Sequence, residues 1–172
     1  RAPDIVSGLA GFGYRTICVG GVGFFNKLSP LGSVLSNLFQ ESYWSEELGV
    51  TDPNSTKNQV RLAIRILDDF PPERRVFLFL NVSAIHQPNC IFYDGLDHDT
   101  LESHAAALEY VDQHLQLLFA KMQSTRSVYC IICSDHGTAY GEDGYWGHRV
   151  SHPVVYLVPY AEFLLTCLKT HV

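Results

Sequence analysis

The sequence predicts an α/β fold, a three-layer sandwich in which helices cover both faces of a mostly parallel sheet. Apolar runs of strand length alternate along the chain with stretches of helical periodicity. The run at 76–82 is apolar apart from Asn81, as expected of a parallel strand that is buried on both faces. Polar or glycine-rich residues follow the runs directly, and open α/β sheets bind ligands at that edge.

Composition favours one globular domain over residues 1–172. Of the 172 residues, 47% are hydrophobic and 17% are charged, which allows a well-buried core. A net charge of −6 provides no basic surface, so nucleic acid is excluded as the main partner. The apolar runs are too short to cross a bilayer, so no membrane segment is expected in this chain. No secretory signal opens the sequence, and we predict a cytoplasmic location by default.

The N-terminal third predicts one strand between helices. Apolar residues at helical spacing indicate a helix over 4–12, which glycines end. A short buried strand at 16–19 leads into the glycine run 20–23. Because that run lacks the spacing of phosphate-binding loops, we interpret it as a close backbone approach at the strand end. The first residue is Arg and not Met, and we expect the chain to be the C-terminal part of a larger catalytic domain.

The remaining elements are more regular. They follow in order as helix 55–70, strand 76–82, a helix from Asp99 to about Gln123, strand 128–133, strand 154–158 and helix 161–168. Asp99 and Glu102 have the spacing of a capping box at the start of the long helix. Cys130 and Cys133 form a C-x-x-C pair, which is typical of zinc and redox sites. Positions three apart in a strand point to opposite faces, and we interpret both cysteines as buried small hydrophobic residues.

The strongest candidate site follows strand 128–133. Asp135 and His136 leave the strand end together, and Gly137 permits a tight bend. A carboxylate beside an imidazole favours Zn²⁺ or Mn²⁺ over Ca²⁺ or Mg²⁺. The other interpretation is that Asp135 is a turn residue and His136 a hydrogen-bonded loop residue.

Three further histidines are candidates. His148 follows a loop with glycines at 141, 144 and 147, which can fold back over the strand end, so His148 is predicted to be a third metal ligand. His86 lies on the polar loop after strand 76–82. Either could instead be an exposed loop histidine. His152 precedes Pro153, and we interpret it as structural or as a support for the ligands.

The segments 134–137, 140–144 and 147–148 together resemble the C-terminal metal motif of the alkaline phosphatase/sulfatase superfamily. The likeness is greatest to its phosphoethanolamine transferases and lipoteichoic acid synthases. His86, in a His-x-Pro loop, is similar to the histidine that contacts the phosphate or sulfate in that branch. The resemblance implies an alkaline phosphatase-like fold, a divalent metal ion on Asp135 and His136, and catalytic roles for His86 and His148.

The function that the resemblance implies is a metal-dependent hydrolase or transferase for phosphate or sulfate esters, either small molecules or lipid-linked. Thr138 stands where the transferases usually have Glu, and Val82 stands where two-metal phosphodiesterases have Asp, which speaks against a complete second metal site. No residue here matches the superfamily's nucleophile, which lies further N-terminal. The alternative is therefore a non-catalytic metal-binding or interaction module derived from that fold, and a phosphomutase is a third hypothesis.

Overall fold

The computed structural model describes residues 4–168 and divides into two compact units, one up to Leu118 and one from Phe119 onward. The helices are α1 (Ile5–Gly11), α2 (Pro30–Val34), α3 (Ser55–Asp68), α4 (Leu101–Thr125) and α5 (Pro153–Tyr156). The strands are β1 (Arg15–Val19), β2 (Glu41–Tyr43), β3 (Val76–Leu80), β4 (Val128–Cys133), β5 (Ala139–Tyr140), β6 (Trp146–Gly147) and β7 (Tyr160–Leu165). Within residues 4–168, no helix is long and apolar enough to cross a membrane.

A three-stranded parallel sheet forms the centre of the first unit, in the order β2-β1-β3. The central strand β1 is the most deeply buried, and Ile17 and Val19 are fully inaccessible to solvent. Both pack in one core cluster with Leu48 and with Ile66 of α3. The predicted α/β class and parallel sheet are confirmed. Strand β2 was not predicted, because Glu41–Tyr43 is short and polar.

The predicted helices of the first unit are confirmed, but the capping box at the start of α4 is wrong. The reciprocal bonds instead join Thr100 and Ser103: the Ser103 amide donates to Thr100 Oγ1 (3.2 Å), and the Thr100 amide donates to Ser103 Oγ (2.8 Å). Asp99 lies one residue too early, and its carboxylate accepts from the Asn89 amide at 2.6 Å. The long helix α4 therefore begins with a hydroxyl cap, while Asp99 secures the preceding loop.

The second unit differs from the sequence prediction in its last two elements. The strand predicted over 154–158 is wrong, because the short helix α5 begins there. Pro153 occupies the first turn of α5, and the His152 ring accepts from the Val154 amide at 3.3 Å as a cap. The helix predicted over 161–168 is also wrong, because strand β7 pairs with β4 in antiparallel register. Long-range pairing therefore overrides the local pattern.

The two faces of β4 are not equally covered. Cys130 is half-buried on the face that holds Phe163, whose ring packs edge-on against Phe119 at 5.8 Å. On the other face Tyr129 is 61% exposed, and its hydroxyl donates to the Glu162 carboxylate. Cys133 is exposed and Cys130 is only half-buried, so the prediction that both cysteines are buried is wrong. Both thiols are free.

Candidate functional site

The motif at the end of β4 is fixed by hydrogen bonds to backbone carbonyl oxygens. The Ser134 hydroxyl donates to the His136 carbonyl oxygen at 2.6 Å, and the Gly137 amide donates to the Val155 carbonyl oxygen at 2.8 Å. A Cβ on Gly137 would lie 1.9 Å from the Val154 carbonyl oxygen. Only glycine fits at that distance. Glycine is therefore required at 137 by the close approach of the Val154 backbone, and its φ is not in the left-handed region.

Asp135 and His136 present their polar atoms side by side. Asp135 Oδ2 lies 3.9 Å from His136 Nε2, and the side chains are 90% and 38% exposed. His136 Nδ1 is 2.9 Å from the Gly137 carbonyl oxygen. Because a carbonyl can only accept, Nδ1 carries the proton and neutral His136 keeps its lone pair on Nε2, the nitrogen beside the carboxylate.

This donor pair fits a divalent cation. Two ligands of a tetrahedral Zn²⁺, each about 2.0–2.1 Å from the metal, are about 3.3 Å apart. The 3.9 Å between Asp135 Oδ2 and His136 Nε2 is slightly larger, and the exposed Asp135 carboxylate has room to rotate. The carbonyl that holds Nδ1 of His136 also gives the ring the outer hydrogen bond that metal-bound histidines usually have.

A small hairpin brings His148 back to this pair. Strand β5 pairs with β6 so that Ala139 lies opposite Gly147, and His148 follows directly. The rings of His136 and His148 stack with centroids 4.5 Å apart and planes 18° apart. An imidazole holds a metal ion in its own ring plane, so two stacked rings do not converge on one ion. Within residues 4–168, no three His, Cys, Asp or Glu side chains are arranged to bind one metal ion.

The hairpin turn is held by an acidic residue that was not among the predicted site residues. Glu142 accepts from the Tyr140 amide at 2.5 Å. Its own backbone N–H and that of Tyr140 lower the pKa of the Glu142 carboxyl, which therefore stays ionised as a backbone acceptor. The signal for this role is its position inside the glycine loop, where an acid often bonds nearby amides.

His86 belongs to the first unit, on the loop that follows β3. Its Nδ1 lies 2.6 Å from the Gln87 carbonyl oxygen, so Nδ1–H donates and Nε2 keeps the lone pair of the neutral ring. Its amide donates to the Ser83 carbonyl oxygen at 3.0 Å, and Ser83 Oγ donates to the Leu48 carbonyl oxygen at 2.8 Å. The exposed His86 ring therefore stands on a firmly bonded loop.

Gln59 joins the ends of β1 and β3, a role that was not predicted from the sequence. This buried amide, on α3, donates to the carbonyl oxygens of Gly20 at 3.1 Å and Asn81 at 2.7 Å. A Cβ on Gly21 would lie 2.3 Å from the Asn81 carbonyl oxygen and 2.8 Å from Gln59 Nε2. The predicted close backbone approach in the glycine run is thus confirmed. The missed signal was a glutamine within the apolar stripe of a helix.

No protein-family model and no curated protein sequence matches the chain. Among solved structures, it is similar to the C-terminal periplasmic domain of EcEptC from Escherichia coli in complex with Zn, with a TM-score of 0.72 and 15% identity over 97% of this chain and 53% of that one. The lipoteichoic acid synthase LtaP from Listeria monocytogenes matches with a TM-score of 0.67 and 16% identity over 98% of this chain and 47% of that one.

A third similar structure is the C-terminal periplasmic domain of phosphoethanolamine transferase EptC from Campylobacter jejuni. Its TM-score is 0.62, with 15% identity over 91% of this chain and 54% of that one. The chain therefore spans about half the length of the solved structures that it matches.

These matches correct one prediction and confirm another. The predicted cytoplasmic location is wrong, because the matched Escherichia coli and Campylobacter jejuni structures are periplasmic domains. The resemblance read from 134–148 is confirmed at the level of the fold. The chain has the α/β fold of alkaline phosphatase/sulfatase-like enzymes, in the half of the domain that it covers.

Proposed function

We propose that this chain forms the metal-binding half of an enzyme that hydrolyses or transfers phosphate or sulfate esters. The observation that carries the proposal is the site at the end of β4. There the Asp135 carboxylate lies beside the unprotonated nitrogen of His136, and the His148 ring is stacked on His136. An anionic ester needs both a cation and hydrogen-bond donors near its oxygens, and this arrangement can supply them.

Asp135 and His136 are the residues that would hold the divalent cation. The structure of the same fold that contains Zn supports this choice of metal. The ion would lower the pKa of the attacking hydroxyl and neutralise charge on the ester oxygens. The family resemblance implies that the nucleophile and a further acidic ligand come from more N-terminal polypeptide.

His148 and His86 are proposed to act on the ester itself. Because its ring is stacked on His136, we assign His148 to the transferred group and not to the metal, which revises its predicted role as a third ligand. His86 directs its Nε2 away from the Gln87 carbonyl oxygen that holds Nδ1. Imidazole is a common general acid, so either ring can donate a hydrogen bond to an ester oxygen or transfer a proton to the leaving group.

The substrate class follows from the same comparison. Solved structures of this fold include a phosphoethanolamine transferase and a lipoteichoic acid synthase. We therefore favour a small or lipid-linked ester outside the cytoplasm. The net charge of −6 continues to argue against nucleic acid.

The substitution His148→Ala should reduce turnover without removing the metal. Loss of one hydrogen-bond donor to a transition-state oxyanion typically costs about 100-fold or more in kcat. Metal content, measured by atomic emission, should stay at the wild-type value. His98→Ala provides the control, because His98 is an exposed loop histidine paired only with its neighbour Asp97 among the bonds observed. Equal turnover in His148→Ala and wild type would exclude His148 from catalysis.

The direct test of the function combines metal analysis of the full-length protein with assays on an aryl phosphate, a phosphodiester and an aryl sulfate. Metal-dependent turnover of one of these esters is the expected result. Tight metal binding without turnover of any ester would favour the alternative, a non-catalytic metal-binding module of this fold.

A further inference from the structure

His152 has partners on both ring nitrogens. Its Nδ1 accepts from the Val154 amide at 3.3 Å, and its Nε2 lies 3.1 Å from Asp143 Oδ2. In a neutral imidazole, the nitrogen that accepts a hydrogen bond from an amide has no proton, so the ring proton is on the other nitrogen. His152 therefore donates from Nε2 to Asp143, and this fixes the ring from two sides. The His152 side chain is 13% exposed, whereas that of Asp143 is 84% exposed.

Asp143 occupies an unusual backbone conformation in the hairpin turn. Its φ is +50°, in the left-handed region that non-glycine residues seldom adopt. The ring of Tyr145 packs near His152, with centroids 5.4 Å apart. The amide of Gly141 donates to the Tyr145 carbonyl oxygen at 2.9 Å. The turn is thus tied to the hairpin by backbone bonds and to the start of α5 by His152.

The bond between His152 and Asp143 closes a loop of the polypeptide that contains His148. On the N-terminal side, the pairing of Ala139 with Gly147 places His148 next to the start of β5. On the C-terminal side, four residues later, His152 returns to Asp143 in the turn of the same hairpin. The segment that carries His148 is therefore anchored at both ends.

We propose that His152 is a positioning residue that acts through Asp143 to keep the His148 ring stacked on His136. The inference rests on the proposed function, because the catalytic value of the stack depends on it. A helix cap alone would require only the bond to Val154. The second bond, to an exposed carboxylate across the loop, also restrains the residues between 143 and 152.

Matched variants separate these roles. His152→Asn keeps a capping side chain for α5 but is too short to reach Asp143. Asp143→Gly keeps the left-handed backbone and removes the acceptor. In Asp143→Asn, the asparagine tolerates the left-handed backbone conformation, and its side-chain oxygen can still accept a hydrogen bond from His152. The first two variants should behave alike, and Asp143→Asn should behave as wild type.

The test is histidine-selective NMR of the full-length protein, with Zn²⁺ affinity and ester turnover measured on the same samples. We expect His152 in the wild type to show the tautomer protonated on Nε2. In His152→Asn and Asp143→Gly the ring-current shifts of His136 and His148 should fall, and turnover should drop about 10–100-fold, the usual effect of losing an outer support. Zn²⁺ affinity should change less than turnover does.

The spectra decide the proposal even if no ester is turned over, so its failure is distinguishable from failure of the proposed function. Unchanged ring-current shifts of His136 and His148 in both variants would overturn it. So would a wild-type His152 protonated on Nδ1, a result that does not depend on any variant folding. Wild-type shifts in Asp143→Asn, together with lost shifts in Asp143→Gly, would support it.

Discussion

The substitution Asp135→Ala should weaken Zn²⁺ binding by more than about 100-fold. Loss of a residue that only hydrogen-bonds to a metal ligand typically lowers metal affinity about 10–100-fold, and loss of a ligand itself should lower it further. Asp135 supplies the only carboxylate beside the lone-pair nitrogen of His136 among the contacts observed in residues 4–168. Without it, a single imidazole remains from this motif. Isothermal titration of the metal-free protein with Zn²⁺ measures the effect directly.

The chain offers a matched control for this substitution in a second adjacent Asp-His pair. Asp97 Oδ1 lies 2.7 Å from His98 Nδ1, and both side chains are largely exposed. Asp97→Ala should leave Zn²⁺ affinity unchanged, because that pair lies on a loop away from any predicted motif. Equal losses in the two variants would show that exposed Asp-His pairs bind zinc unspecifically, and an unchanged affinity in Asp135→Ala would remove Asp135 from the site.

Gly137→Ala should be the most damaging small substitution near the site. Its Cβ would lie 1.9 Å from the backbone carbonyl oxygen of Val154, so the backbone of the loop or of α5 must move. Forced overpacking of this kind costs about 1–3 kcal/mol of the free energy of unfolding. Because the His136 ring is bonded to the Gly137 carbonyl oxygen, the displacement should weaken Zn²⁺ binding as well.

Chemical denaturation, together with Zn²⁺ titration, checks both consequences of Gly137→Ala. Gly23→Ala is the appropriate control, because nothing lies within 4 Å of its added Cβ and its φ is not in the left-handed region. That variant should stay within about 0.5 kcal/mol of wild type. A Gly137→Ala protein as stable as Gly23→Ala would contradict the close packing at the bend.

Much of the fold could be predicted because its signals are local. The apolar run of β3, the periodic stripe of α3 and the length of α4 each identify an element without reference to the rest of the chain. The strand before Asp135 and His136 was also identified by its apolar run. However, β4 is largely exposed and pairs with β7 in a separate antiparallel sheet, so the edge of the parallel sheet does not explain the position of these two residues.

The two errors at the C-terminus arise from competition between local and long-range interactions. The apolar residues at 154–158 satisfy a strand pattern, but Pro153 and the His152 cap begin a helix there. Residues 161–168 satisfy a helical pattern, but β7 pairs along its whole length with β4. Neither the cap geometry nor the strand partner is visible in a window of a few residues.

The supporting residues of the site could not be predicted for a similar reason. Gln59 joins the ends of β1 and β3 from α3. One of its partners, Gly20, lies 39 residues earlier in the sequence. Asp143 and His152 meet only after the hairpin and α5 have formed. Their residue types are common in loops, so their roles depend on the folded positions of their partners.

X-ray absorption at the zinc edge, on the full-length protein loaded with one equivalent of Zn²⁺, tests the central claim most directly. The site described here predicts nitrogen and oxygen ligands at about 2.0–2.2 Å, including an imidazole signal that His136→Ala removes. The competing site is the C-x-x-C pair of Cys130 and Cys133, whose thiols are free. Sulfur ligands at about 2.3 Å, or an imidazole signal that survives in His136→Ala, would contradict the account.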